Sequence, residues 1–273
     1  MHGWTGKILR VNLNKRTIEE EHLDPKIAKD YIGGRGLGIY YMNRELNPAC
    51  DPLSDENIMV IATGPLTATG APTGARYMVM TKSPLTGAVT CSNSGGQFPT
   101  ELKRAGLDGM IITGKSETPV YLYINENKVE LKDAGHLWGK TTHETTDLLL
   151  SETDPKARVA CIGPAGENQV LFASIMNDKD RAAGRSGVGA VMGSKNLKAV
   201  VVRGKGKITL SKPDEFKAFN KKILKRFKDE AKATPLGLTI NGTAGVVMTT
   251  NLLGVLPTKN WQQGTFDNWE SID

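Results

Sequence analysis

The sequence predicts an α+β fold: a pseudo-twofold pair of β-sheets with short helices, followed by the start of a helical domain. Three observations carry this. Short strand patterns bounded by turn residues fill residues 1–210. One succession of elements occurs twice within that span. From Pro213 onward the apolar spacing changes from two to that of a helix. We read residues 1–210 as one domain and 211–273 as the beginning of another, in keeping with 273 residues.

The elements follow in order. Leu9, Val11 and Leu13 alternate with Arg10, Asn12 and Asn14, a half-buried strand that Asn14-Lys15-Arg16 turns back as a hairpin. Asp24-Pro25 opens a short helix that Gly33-Gly34 is expected to stop. Phe98 to Ala105 reads as a helix and Gly109 to Ile112 as a strand. Val120 to Ile124 and Val129 to Leu131 form a second hairpin, and Thr142 to Leu150 a helix. Phe216, Phe219, Ile223 and Phe227 recur at helical spacing behind Pro213, which suits a first helical turn. After Ala231 the chain turns Gly/Thr-rich. Thr243 to Leu253 then reads as a helix ended by Gly254, and Trp261 to Asp273 as a polar stretch without a closing element. Sixty-three residues after position 210 are too few to bury a core readily.

The repeated succession is strand, Gly-Pro, glycine-rich turn, helix, strand, Gly-Lys. Ile61-Ala62-Thr63-Gly64-Pro65 matches Ala160-Cys161-Ile162-Gly163-Pro164. Ser94-Gly95-Gly96 matches Ser186-Gly187-Val188-Gly189. Gly109 to Ile112 with Gly114-Lys115 matches Ala199 to Val202 with Gly204-Lys205. We read a duplication; two ordinary helix-to-strand units with glycine turns give the same pattern.

Composition excludes several classes. With 39% apolar residues and 30 glycines, disorder is not the dominant state. The longest purely apolar run, Ile58 to Ala62, is far short of the roughly 20 residues a membrane span needs. No basic cluster and apolar stretch open the sequence as in a signal peptide. Cys50, Cys91 and Cys161 are scattered and odd in number, which excludes a disulfide framework and fits the cytoplasm. The net charge of +6 is local: Arg203 to Lys232 holds eleven basic and four acidic residues, an excess of seven. That segment reads as the solvated face of a helix packed by its phenylalanines, with docking to an acidic partner as the alternative. No recognised motif accompanies it for nucleic acid.

Chemistry concentrates at the glycine turns. A glycine-rich turn before a helix offers backbone N–H groups at the positive end of the helix dipole, which suits phosphate. Arg76 precedes the first turn, and Arg181 and Arg185 precede the second. Arginine presents a planar fork matched to phosphate oxygens. Neither turn carries a nucleotide-binding fingerprint. The spacing therefore points to a paired anion-binding surface for a large phosphorylated ligand, or to purely structural turns. His2, His22, His136 and His143 lack metal-ligand spacing, no G-x-S-x-G elbow occurs, and Cys161 reads as a small buried hydrophobe.

These stretches resemble the N-terminal part of the tungsten-containing aldehyde ferredoxin oxidoreductase family. The likeness runs from Gly3-Trp4-Thr5-Gly6-Lys7 through Gly33-Gly34-Arg35-Gly36-Leu37, Ala71-Pro72-Thr73-Gly74-Ala75-Arg76 and Asn93-Ser94-Gly95-Gly96 to Arg181 through Ala199. It continues more faintly at Gly242-Thr243-Ala244 and Pro257-Thr258-Lys259-Asn260. It covers essentially all of this chain.

The resemblance implies a domain whose paired sheets form a base for a tungsten (or molybdenum) bis-pyranopterin, its two phosphates joined through Mg²⁺. It implies cofactor contacts from Arg76 and Arg181. It also implies phosphate contacts around Asn93, Ser94, Gly95 and Gly96 and around Ala182, Ala183, Gly184 and Arg185, with the carbonyls of Asn93 and Ala182 as Mg²⁺ ligands. The implied reaction oxidises an aldehyde to a carboxylic acid and passes electrons through a [4Fe-4S] cluster to ferredoxin, in an enzyme that could be a homodimer. One departure is specific. The family's C-x-x-C-x-x-x-C cluster run does not occur among these residues, and the three cysteines match none of its ligands. No catalytic residue is assigned, and this chain alone is expected to be inactive. The alternatives are a relative acting on another acyl substrate and a non-catalytic scaffold for a phosphorylated pterin.

Overall fold

The computed structural model describes residues 1–233 and 238–272. Part of the Gly/Thr-rich stretch after Ala231 and the final Asp273 lie outside the described residues. The chain divides into two units, Met1–Ser211 and Lys212–Asp273.

The first unit opens with the hairpin β1 (Lys7–Asn12) and β2 (Thr17–His22), then α1 (Pro25–Tyr31), α2 (Gly34–Glu45), β3 (Met59–Thr63), β4 (Tyr77–Lys82) and β5 (Val89–Ser94). After these come α3 (Phe98–Arg104) and β6 (Gly109–Thr113). The second hairpin, β7 (Val120–Asn125) and β8 (Lys128–Asp133), leads to α4 (Thr142–Glu152), β9 (Arg158–Cys161), α5 (Pro164–Glu167), β10 (Ile175–Asn177) and β11 (Arg181–Ala183). The unit closes with α6 (Val188–Ser194) and β12 (Leu197–Arg203).

Two six-stranded mixed sheets result, ordered β2-β1-β6-β3-β4-β5 and β8-β7-β12-β9-β10-β11. The two orders are the same plan. In each, the hairpin's first strand runs parallel to the last strand and every other pairing is antiparallel. Register makes the duplication quantitative: Ala62 pairs Gly109 as Cys161 pairs Ala199, the correspondence expected from the sequence echo. The repeat also reaches further than that echo, since the Val120 hairpin reproduces the Lys7 hairpin. No composition signal links Leu9 and Val11 to Leu122 and Ile124, although both pairs enter one shared core.

Alternation builds that core. Leu9, Val11, Met110 and Ile112 of one sheet and Leu122, Ile124, Val200 and Val202 of the other point into it, and α3 and α6 add Phe98, Leu102, Val188 and Val191. Their neighbours face outward: Ile8, Val60 and Ile111 pack under α1 and α2, while Tyr121, Val159 and Val201 pack with Leu149 of α4. Helix α4 starts on a capping box, Thr141 accepting from the Glu144 amide and Glu144 accepting from Thr141.

The helix opened by Asp24-Pro25 ends at Tyr31, just before Gly33-Gly34 as expected, but Gly34 then opens α2, a helix the spacing does not predict. Three glycines make α2 a poor helix by propensity. Crowding explains two of them, since a Cβ at Gly36 would strike the Tyr31 carbonyl and one at Gly38 the Met80 side chain. The helix lies flush on β3 and β4 for that reason.

In the second unit, α7 (Pro213–Ala233) is the expected basic helix, followed by α8 (Leu238–Asn241). The single helix read over Thr243–Leu253 is a 3₁₀ turn, Ala244–Val246, joined to α9 (Val247–Leu252). Phe219 and Phe227 are exposed, so the expected packing of α7 by its phenylalanines is not seen among the described residues. None of the described residues beyond 211 is fully buried. Among the described residues no helix is long and apolar enough to cross a membrane.

Candidate functional site

The edge strands β5 and β11, one from each sheet, run side by side, and the Arg185 amide donates to Ser92 Oγ across them at 3.1 Å. Counting from the register pairs Met78–Asn93 and Met176–Ala182, Asn93 and Ala182 hold equivalent places in the two repeats. On the same count Gly95 matches Gly184. The expected match of Ser94-Gly95 to Ser186-Gly187 is therefore corrected, because the second turn is longer before its helix begins.

A cavity of about 600 Å³ opens at this junction, within the range of ligand sites. It is lined from the first repeat by Gly74, Arg76, Ser94, Gly95 and Gly96, and from the second by Asp180, Arg181 and Ala182. Asn93 reaches it through Arg76, whose Nη1 donates to Asn93 Oδ1 at 2.9 Å. Gly184 and Arg185 are exposed beyond the lining, and the Ala183 side chain is buried in the shared core, leaving only its backbone for an outside contact.

Arg76 owes its place to a residue the sequence did not single out. Thr67, 1% exposed, donates from Oγ1 toward the carbonyls of Gly74 (3.0 Å) and Arg76 (3.3 Å) and accepts the Gly64 amide. The loop from Gly64 to Arg76 is thereby pinned to the end of β3. A Cβ at Gly74 would lie 2.8 Å from the Leu66 carbonyl, so that close turn also requires glycine.

The helix-dipole reading of the first turn is corrected. The amides of Gln97 and Phe98 that open α3 already bond Asp178 Oδ2, at 2.5 and 3.1 Å. Asp178 supplies the anion there, so those two amides are not open to an outside ligand. Beside it Asn177, 1% exposed, accepts from Tyr77 Oη (3.0 Å) and Ser94 Oγ (2.7 Å) and donates to the Gly95 carbonyl (2.9 Å). The hydroxyl of Ser94 is thus spent on the scaffold. Neither Asn177 nor Asp178 carried a motif; both announce themselves only through partners some eighty residues away.

The chemistry of the donor set fits a large polyanion. Among the described residues, neither Arg181 nor Arg185 has a hydrogen-bond or ion-pair partner for its guanidinium, and Arg76 commits one N–H. Facing them on the lining is one acid, Asp180, whose side chain is 84% exposed. Unpaired guanidiniums beside exposed backbone on two sheet edges can clamp phosphate oxygens bidentately. An iron–sulfur cluster does not fit: no group of three His, Cys, Asp or Glu among the described residues could hold a metal. Cys50 and Cys161 are buried apart, and burial pushes the Cys161 thiol up to about 11.

Comparison with known proteins decides the family. The family model of the aldehyde ferredoxin oxidoreductase N-terminal domain matches residues 8–204, and that of domains 2 and 3 matches residues 218–273. The chain belongs to the aldehyde ferredoxin oxidoreductase family. A tungsten-containing aldehyde ferredoxin oxidoreductase of Pyrococcus horikoshii is 52% identical over 268 residues, 97% of this chain and 44% of its own length. An aliphatic sulfonate oxidoreductase WOR-like subunit of Pyrococcus furiosus is 37% identical over 99% of this chain and 45% of its own length. Among solved structures, the BamBC active-site complex of benzoyl coenzyme A reductase superposes with a TM-score of 0.82 at 42% identity, covering 84% of this chain and 35% of the other. The chain spans less than half the length of the curated relatives it matches.

Proposed function

We propose that Met1–Ser211 is the cofactor-binding base of a tungsten (or molybdenum) bis-pyranopterin oxidoreductase, and that the protein oxidises aldehydes to carboxylic acids with ferredoxin as electron acceptor. The observation that carries this is the cavity between the two edge strands, lined by arginines from both repeats. Arg76 and Arg181 would hold the pterin phosphates, the turns Asn93 to Gly96 and Ala182 to Arg185 would supply backbone partners, and the carbonyls of Asn93 and Ala182 would be ligands for Mg²⁺. When bound, the pterin–metal group supplies the two-electron redox chemistry, as cofactors do in such enzymes. The part of this chain is to anchor, orient and neutralise. No substrate, [4Fe-4S] or homodimer contact is assigned to these residues.

A second reading keeps the cofactor and changes the substrate. It is favoured by the 42% identical structural neighbour, which belongs to a benzoyl coenzyme A reductase. Metal and pterin analysis of the full-length protein tests both readings. We expect tungsten or molybdenum with pterin phosphate in the wild type and loss of both in the Arg76→Ala, Arg181→Ala double variant. Active protein free of metal and pterin contradicts the proposal, and turnover of acyl thioesters without aldehydes selects the second reading.

A further inference from the structure

We propose that Asp178 is a positioning residue: from the second repeat it fixes the glycine turn of the first, and so sets the distance across which the cavity grips a phosphorylated ligand. This rests on the cradle reading above. The geometry is specific. Asp178 Oδ2 accepts the amides of Gln97 and Phe98 and the Asn177 Nδ2, while Asn177 holds the Gly95 carbonyl and Ser94 Oγ. Every one of these bonds except that within the Asn177–Asp178 pair crosses from one repeat to the other. The turn closes on the carboxylate so tightly that a Cβ at Gly96, where φ is +100°, would collide with Asp178 Oδ2 and press on Arg181 Cγ.

The first repeat has nothing comparable. On the Asn93–Ala182 correspondence, Asn177 and Asp178 stand where β4 has Val79 and Met80, two core residues of a continuing strand. In the second repeat the strand ends instead, and Asp178 and Lys179 take left-handed backbone, φ 49° and 64°. That break lifts the carboxylate out of the sheet and places it under α3. A carboxylate beside an anion site is electrostatically adverse, and its Oδ1 is buried without a partner. A group that costs the site charge complementarity and leaves an acceptor unsatisfied is accounted for by what its other oxygen holds in place.

Charge and positioning make opposite predictions, which the full-length, cofactor-free protein can separate with Mg-pyrophosphate as the probe. Glycine and asparagine both tolerate the left-handed φ at this position. Asp178→Asn removes the charge but keeps an oxygen for the two amides; Asp178→Gly removes both. We expect calorimetric affinity to fall about tenfold or more in Asp178→Gly and to hold or rise in Asp178→Asn. Tighter binding by both variants overturns the proposal while leaving the cradle reading intact. No binding by folded wild type overturns the cradle reading, and with it the ligand-gripping role. Hydrogen exchange on the wild type needs no variant. Protected Gln97 and Phe98 amides support the clamp, and exchange at open-loop rates overturns it even if Asp178→Gly fails to fold.

Discussion

The two repeats share a strand plan and differ at the strands that border the cavity between them. β4 runs six residues through the core, whereas its counterpart β10 stops after three and releases the chain into the Asp178 turn. The buried ion pairs diverge in the same way. Ahead of the last strand of the first repeat, Asp108 is paired with Lys103 of α3. At the matching position of the second repeat stands Lys198, paired with Glu167 of α5. Both pairs are almost fully buried, and their polarity is reversed. Register and alternation keep the sheets alike, so the two halves could exchange the sign of this buried pair without losing the shared core.

Breaking those pairs is the severest test of that equivalence. Lys103→Ala leaves Asp108 with only the Thr5 and Gly6 amides, and Lys198→Ala leaves Glu167 with only the Gly139 amide. Each should lower unfolding free energy by about 3–5 kcal/mol in urea titrations. A large loss at one and none at the other would show that the reversed pairs are not structural equivalents.

Lys195 sharpens the comparison, since it reaches from the second repeat into the first. Its buried ammonium donates to the carbonyls of Asn57 and Gly114, and burial pulls its pKa down to about 8. The unfolded chain therefore holds more protons above pH 8, and stability rises with pH from there. Burial holds the Tyr41 and Tyr77 hydroxyls well above their usual value of 10.0, which reverses the trend once unfolded tyrosines ionise. Lys195 should contribute a gain of about 2 kcal/mol between pH 7.5 and 9.5, partly offset as the unfolded Cys161 thiol ionises, and the difference between wild-type and Lys195→Met denaturant midpoints isolates it.

Smaller effects follow. Thr67→Val deprives the Gly74 and Arg76 carbonyls of their donor and should cost about 1 kcal/mol, with faster proteolysis between Gly64 and Arg76. In the second unit the exposed Arg226–Glu230 pair lies 2.6 Å apart on α7. Arg226→Ala should move the thermal midpoint hardly at all, by about 0.5 kcal/mol or less.

Much of this was legible in the sequence because it rests on local pattern. Alternation in Leu9-Val11-Leu13 and the strand echo at Ile61 and Ala160 gave the paired sheets, and motif order gave the family. Helix α2 was hidden because Gly34, Gly36 and Gly38 answer to the crowding of Tyr31 and Met80, which spacing does not encode. The roles of Asn177, Asp178 and Thr67 were hidden for a related reason: their partners are set by the fold, and an isolated Asp or Thr in a turn looks like any other. Arg76 and Arg181, which line the cavity, are singled out by the sequence because each stands inside a recognisable motif.

If one site is composed from both repeats, a titration of the full-length, cofactor-free protein with Mg-pyrophosphate reveals it. We expect one ligand per chain, with affinity reduced about tenfold by Arg76→Ala in the first repeat and by Arg181→Ala in the second, and no change in thermal stability, since both side chains are exposed. Two independent sites, or a loss confined to one arginine, would contradict it.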